Sequence, residues 1–150
     1  MSRGALAGIR VIELGEGVSA AFCAKLFADY GALVVKVEPP GRGDVTRTWG
    51  PFPGDVPHPE KSGTYFFLNT SKKSVALDLE VGADLARVRE LIAGADVLIE
   101  NLPVSELERY GLDPASVAAL NPALVMISIT PFGHTGPRAC LLYTSDAADE

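Results

Sequence analysis

Cysteine is nearly missing from this sequence. Cys23 and Cys140 are the only two, at no CxxC or metal-ligand spacing, so neither a disulfide framework nor a cysteine-built metal centre is expected. Cys23 lies among Ala, Phe and Leu and reads as a small buried hydrophobe. Histidine is equally scarce: His58 stands between prolines and His134 in a Phe-Gly-His-Thr-Gly loop, and neither has a second ligand at metal spacing or a Ser or Cys partner. No apolar run approaches the roughly 18 residues of a membrane span, and the N-terminus lacks the basic, apolar, small-residue order of a secretory signal. A cytoplasmic protein with no membrane partner is the expectation. Cationic runs are also absent. The 13 Lys and Arg are scattered against 19 Asp and Glu, a net charge of -6, which argues against nucleic acid as a partner but leaves enough cations for one small polyanion.

What the sequence does contain is an alternation of strand and helix patterns. Its 150 residues, 47% hydrophobic and 21% charged, suffice for one domain with a real core. Residues 9–14 are a β-branched apolar run ended by Gly15 and Gly17, which predicts a strand buried on both faces. Ser19 is placed to cap the following helix; Phe22, Leu26 and Tyr30, beside Cys23 and Phe27, give it an apolar stripe, and Gly31 stops it. Residues 33–37 then form a second buried strand, completing a right-handed βαβ unit. Between Pro39 and Gly63 prolines and glycines crowd into a long irregular excursion, and such loops tend to carry function. Residues 65–68 and 74–79 read as extended segments around a polar turn that exposes Lys72 and Lys73. Leu85, Val88, Leu91 and Ile92 mark the inward face of a helix stopped by Gly94, followed by a strand at 96–100, short helices near 105–110 and 114–120, and a strand at 124–129. The pattern predicts a Rossmann-like α/β domain, a mainly parallel sheet with flanking helices.

Gly15-Glu16-Gly17-Val18-Ser19-Ala20 fits G-x-G-x-x-G/A between a strand and a helix, and Glu38 ends the second strand. That is the setting of an NAD or FAD fingerprint, with the helix N-terminus for the pyrophosphate and a carboxylate for the ribose. Two features oppose it. Glu16 puts a negative charge where the pyrophosphate would lie, and Glu38-Pro39-Pro40 runs into the excursion instead of a compact second crossover. A tight structural turn with no ligand is a further reading.

Three stretches carry a more specific signal: ALAGIRVIELGEGVSAAFCAKLFADYGALVVKVEPPGRGDVTR, NTSKKSVALDLE, and GADVLIENLPVSELERYGLDPASVAALNPALVMISITPFGHTGP. From Leu6 to about Arg138 they closely resemble the family III coenzyme A transferases, the CaiB/BaiF group that contains carnitine- and formyl-CoA transferases and the methylacyl-CoA racemases. The resemblance implies that the first βα turn lies against coenzyme A, with Val18 and Ser19 offering backbone contacts. Arg109, in N-x7-R-x-G after Asn101, matches the phosphate-binding arginine, a role that suits the planar guanidinium. Asn101, Leu102 and Pro103, with residues 77–80 (Leu77 and Asp78 among them), are implied to frame the adenine and its linker. The plainer alternatives are a surface arginine at a helix end and a strand-end turn. Where formyl-CoA transferases carry an arginine after the position of Glu38, this chain has Pro39, leaving Arg42 or Arg47 to reach the same phosphates. Lys72 or Lys73 is a further phosphate contact or else a solvated pair, and His134 holds a place often taken by Gln.

The chemistry implied by the resemblance is transfer of coenzyme A between carboxylic acids. An aspartate attacks the acyl-CoA thioester, giving a mixed anhydride and CoA thiolate, and exchange with an acceptor acid follows. Acyl-CoA and a carboxylic acid are the implied substrates, with no permanently bound cofactor and no metal. Asp44, Asp55, Asp78 and Asp96 do not align with that nucleophile, so no catalytic residue is assigned here and the missing one is expected further downstream. An acyl-CoA racemase of the same fold, with a His/Asp pair also downstream, and a dinucleotide-binding module are the alternatives. The intact protein is expected to be an interlocked homodimer of ring-shaped subunits. Residues 1–139 are expected to be the N-terminal part of its large domain. Residues 140–150, CLLYTSDAADE, break the periodicity and resemble a translated sequencing adapter, so a non-native tail is expected there.

Overall fold

The computed structural model describes residues 4–136, so the expected tail at 140–150 lies outside the described residues. Five parallel strands, β1 (Arg10–Leu14), β2 (Leu33–Glu38), β3 (Lys73–Ala76), β4 (Val97–Glu100) and β5 (Val125–Ser128), form one sheet in the order β3-β2-β1-β4-β5. In register, Val11 sits between Val34 and Val97, and Ile12 between Val35 and Leu98. These apolar, largely β-branched runs are covered on both faces, as a parallel sheet requires. Ile12, Leu14, Val37 and Leu98 pack under α3 (Gly82–Ala93), α4 (Val104–Tyr110) and α5 (Pro114–Leu120) through Val88, Ile92, Leu107 and Val117. Val11, Val34 and Ile99 face α1 (Ser19–Asp29) on the other side. The result is the Rossmann-like α/β sheet expected from the alternation. Strand order reverses at β1, and the loops leaving β1 and β4 therefore diverge around a crevice at the carboxyl edge.

Three local expectations are corrected. The sheet-facing side of α1 is not the large apolar stripe: Ala20, Ala21, Ala24 and Ala28 are buried, while Phe22, Leu26 and Tyr30 are 43%, 44% and 60% exposed. Alanines at i, i+4 and i+8 let the helix lie close on the sheet, and positions two residues on fall on the opposite face. Residues 65–68 are not extended but belong to α2 (Gly63–Leu68), because Ser62 caps that helix by accepting from the Tyr65 N–H at 3.0 Å. The cap outweighs the strand preference of the aromatic run. Ser19 opens α1 as its first residue instead of capping it; Val18 holds the cap position without a side-chain bond.

Charge runs through the interior beside β1 and β2. Lys36 Nζ lies 2.6 Å from Glu13 Oε1 and 2.7 Å from Asp44 Oδ2, all three fully buried. Lys72, expected in solvent, has its ammonium inside: it meets Glu13 Oε2 at 2.7 Å and donates to the Ala21 carbonyl at 2.8 Å and Asn69 Oδ1 at 2.9 Å. The turn before β3 folds beneath α1 and delivers it there. Burial pulls the Lys36 ammonium down, but Glu13 and Asp44 outweigh it and the group is held above its ordinary value. Next to this set, Glu38 accepts from Arg47 Nε (2.8 Å) and Nη2 (3.1 Å), the Tyr65 hydroxyl (2.7 Å), the Ser74 hydroxyl (2.5 Å) and the Asp44 N–H (2.9 Å). Those bonds fasten the Pro/Gly excursion to the end of β2. Burial alone would raise the Glu38 carboxyl, yet the bonds from Arg47, Ser74, Tyr65 and Asp44 bring it down to about 2.

Two outcomes are expected in urea unfolding of this chain. Ala24→Leu overpacks the α1–sheet seam and costs about 1–3 kcal/mol, whereas Phe22→Ser on the outer face changes stability by less than about 0.5 kcal/mol; the reverse order would refute the facing. Because the Glu38 carboxyl titrates lower folded than unfolded, its contribution is complete above its ordinary 4.5 and is lost as pH falls toward 2. Glu38→Gln should therefore cost roughly 2–3 kcal/mol at pH 7, with the gap to wild type closing as pH drops through that window. An equal gap at pH 6 and at the acid end would contradict it.

Candidate functional site

The carboxyl ends of β1, β2 and the β3 segment converge with α4 on a cleft of about 520 Å³. Leu14, Val37, Leu77 and Leu102 give it an apolar floor. Its rim is charged: Glu16 after β1, Arg42 in the excursion, Asp78 and Glu80 after β3, and Glu106 and Arg109 on α4. An apolar floor with a few convergent polar groups suits a ligand with an apolar body and ionic ends.

Asn101, at the end of β4, builds one wall by bridging two loops. Its Nδ2 donates to the Glu16 carbonyl at 2.8 Å and to Ser19 Oγ at 3.0 Å, and its Oδ1 accepts from the Glu16 N–H at 3.2 Å. Gly15, at φ +118°, is required by this clamp, since a Cβ there would fall 1.8 Å from Asn101 Oδ1. The first glycine of the nucleotide-like signature thus serves packing within the protein. Glu16 points its carboxylate at Arg42, with contacts of 2.5 and 2.9 Å. Glu38, the second element of that signature, has its lone pairs taken by the five donors from the excursion, α2 and β3. Glu38 is thus occupied within the protein at the position where a dinucleotide's ribose would need an acceptor.

Arg109 reaches the rim with its side chain 56% exposed. It pairs with Glu80, its guanidinium carbon lies 4.7 Å from the Tyr110 ring centroid, and it donates to the Tyr110 hydroxyl at 2.5 Å. That hydroxyl in turn donates to Glu80 Oε1 at 2.8 Å. The Tyr110 bond, with Arg109 beside it, holds the Glu80 carboxyl below its usual range. The Asp78 carboxylate closes a local turn by accepting from the Glu80 N–H at 2.9 Å.

Of the residues singled out from sequence, Leu77, Asp78, Leu102 and Arg109 share the cleft. Asn101 lies in an adjoining recess with Glu16, Arg42, Leu102, Pro103 and Glu106. Val18, 51% exposed, and Ser19 stand at the start of α1 outside the cleft walls. Lys72 is committed to the interior, and Arg47 to Glu38, leaving Arg42 as the excursion's cation on the cleft. Tyr110, the last residue of α4, joins Arg109 on the cleft, and the only sequence signal for it is its adjacency to Arg109. Away from the cleft, His134 Nε2 and the buried Glu100 Oε1 are 3.7 Å apart and neither has a hydrogen-bond partner among the described residues. Among the described residues no group of three or more His, Cys, Asp or Glu is placed to hold a metal, and no helix is long and apolar enough to cross a membrane.

Residues 6–143 match the family model of CoA-transferase family III. The succinate–glutarate CoA-transferase of Agrobacterium fabrum is 45% identical over 136 residues, covering 89% of this chain and 34% of that protein. The succinyl-CoA–D-citramalate CoA-transferase of Chloroflexus aurantiacus is 42% identical over 131 residues, covering 86% and 31%. The chain thus spans about a third of the length of these curated relatives. Among solved structures, a CAIB/BAIF family protein from Brucella suis superposes with a TM-score of 0.82 at 39% identity, over 92% of this chain and 36% of that one. Sequence and fold agree over nearly the whole described length: the chain belongs to CoA-transferase family III.

Proposed function

We propose that this chain is the coenzyme A-binding part of a CoA-transferase that moves coenzyme A from an acyl-CoA to a carboxylic acid. The observation that carries the reading is the cleft itself, an apolar floor of Leu14, Val37, Leu77 and Leu102 with guanidinium groups from Arg42 and Arg109 on its rim. Coenzyme A joins an adenine and an apolar-polar arm to several phosphates, and that mixture is what such a surface accommodates. In this reading Arg109 and Arg42 take phosphate oxygens, and Leu77, Asp78 and Leu102 border the adenine and linker. Asn101 keeps the β1–α1 loop in the shape that presents the backbone of Val18 and Ser19. The names of the two relatives, built on succinate, glutarate and citramalate, make dicarboxylic acids and their CoA thioesters the first substrates to try.

The transfer would proceed through an aspartyl mixed anhydride, and three of the aspartates weighed from the sequence have other occupations. Asp44 is locked to Lys36, Asp96 accepts from the Arg10 N–H at 2.7 Å, and Asp78 closes a turn. The nucleophile is accordingly assigned to the two thirds of the family length that this chain does not span. The same reading takes the whole protein as an interlocked homodimer. Supporting it, Phe22, Leu26, Tyr30, Phe66 and Phe67 leave large apolar surface exposed on a small domain, and such surface marks contact sites.

Calorimetric titration of the 150-residue chain with CoA and with NAD tests the assignment. CoA should bind and NAD should not, and Arg109→Gln should weaken CoA about tenfold by removing a charge-assisted phosphate contact. Binding of NAD without CoA would overturn it.

A further inference from the structure

Both guanidinium groups on the cleft are already held by carboxylates from the same cleft: Arg42 by Glu16, and Arg109 by Glu80 with the Tyr110 hydroxyl bridging the pair. Four carboxylates, Glu16, Asp78, Glu80 and Glu106, line the cleft against only those two cations. A polyanion entering this net-negative surface finds both cations already paired, so it competes with a protein carboxylate for each of them. Building on the coenzyme A reading, we propose that Glu80 is a specificity-determining latch on Arg109: it yields to a phosphate and resists a free carboxylic acid.

The asymmetry follows from charge and connectivity. A phosphate brings up to two negative charges and three acceptor oxygens to a planar fork, against one charge and two oxygens from a carboxylate. Glu80, with its side chain 60% exposed, can turn into water at little cost once displaced. A free carboxylic acid offers Arg109 nothing that Glu80 does not, and it competes with a tethered group whose effective concentration is in the millimolar range. An enzyme that handles coenzyme A and free carboxylic acids together needs this discrimination, because an acid lodged on Arg109 would block the nucleotide end. Tyr110 sharpens the latch by fixing Glu80 Oε1 at 2.8 Å, and Glu16 on Arg42 repeats the arrangement across the cleft.

The test is CoA affinity by calorimetry on the 150-residue chain and its Glu80→Gln, Glu80→Ala and Glu106→Gln variants, with thermal melts followed by circular dichroism to verify folding. Glu106 lines the same cleft but makes no ion pair among the described residues, so its variant reports the effect of removing one charge without a latch. Both Glu80 variants should bind CoA about two- to fivefold more tightly than Glu106→Gln does. A large excess of succinate should weaken CoA binding to the Glu80 variants beyond the effect of sodium chloride at equal ionic strength, and should not do so in wild type. If wild type binds CoA but the Glu80 variants gain no more than Glu106→Gln, or succinate competes equally in all, the latch is refuted while the coenzyme A reading stands. If wild type and every variant ignore CoA, the coenzyme A reading falls and takes the latch with it.

Discussion

Lys36 sits in the middle of a parallel sheet with its ammonium between Glu13 and Asp44, and the arrangement of this domain depends on that contact. An unpaired charge at that depth would be untenable; paired and hydrogen-bonded it becomes a constraint on every element that contributes a partner. Glu13 comes from β1, Lys36 from β2, Asp44 from the Pro/Gly excursion and Lys72 from the turn before β3. Two cations meet two carboxylates, so the group is neutral as a whole. Its geometry ties the central strands to the loops that leave them, and the neighbouring Glu38 and Arg47 extend the same fastening along the excursion.

The cleft inherits its shape from those fastenings. Strand order reverses at β1, which opens the sheet's carboxyl edge, and Asn101 then stitches the loop after β1 to the end of β4 across the opening. What is left between the stitched loop, the fastened excursion and α4 is an apolar floor under a charged rim. The ionic groups of the frame and of the cleft rim thus form two populations. Those near β1 and β2 are buried and fixed, and hold the frame. Those on the rim face the cleft and are more exposed. Arg47 and Arg42 lie five positions apart in one loop and belong to different populations, because Arg47 is enclosed by Glu38 and Tyr65 while Arg42 leans into solvent over Glu16.

Much of the frame was legible beforehand. The strands at 33–37 and 96–100 are short apolar runs bounded by glycine or polar residues, and the βαβ order left little choice of topology. The face of α1 was not legible, because alanine is apolar yet small: the 22-26-30 series looks like a core stripe until the close approach of helix to sheet is known. The helix at Gly63–Leu68 was hidden by its aromatics, whose strand preference lost to one serine cap. Lys72 looked solvated because nothing in a local window shows that its partner, Glu13, is 59 residues away.

The sequence by itself determined the family, the alternation of strands and helices, and the chemical types gathered at the sheet's edge, since these are written in local periodicity and in motifs of fixed spacing. Only the tertiary structure decided which charges are spent on each other. Whether Glu38 is a ribose acceptor or a buried anchor, and whether Arg109 stands alone or paired with Glu80, depends on distances between segments far apart along the chain. Coulomb attraction and hydrogen bonding act over a few ångströms in space, and sequence separation does not encode those distances.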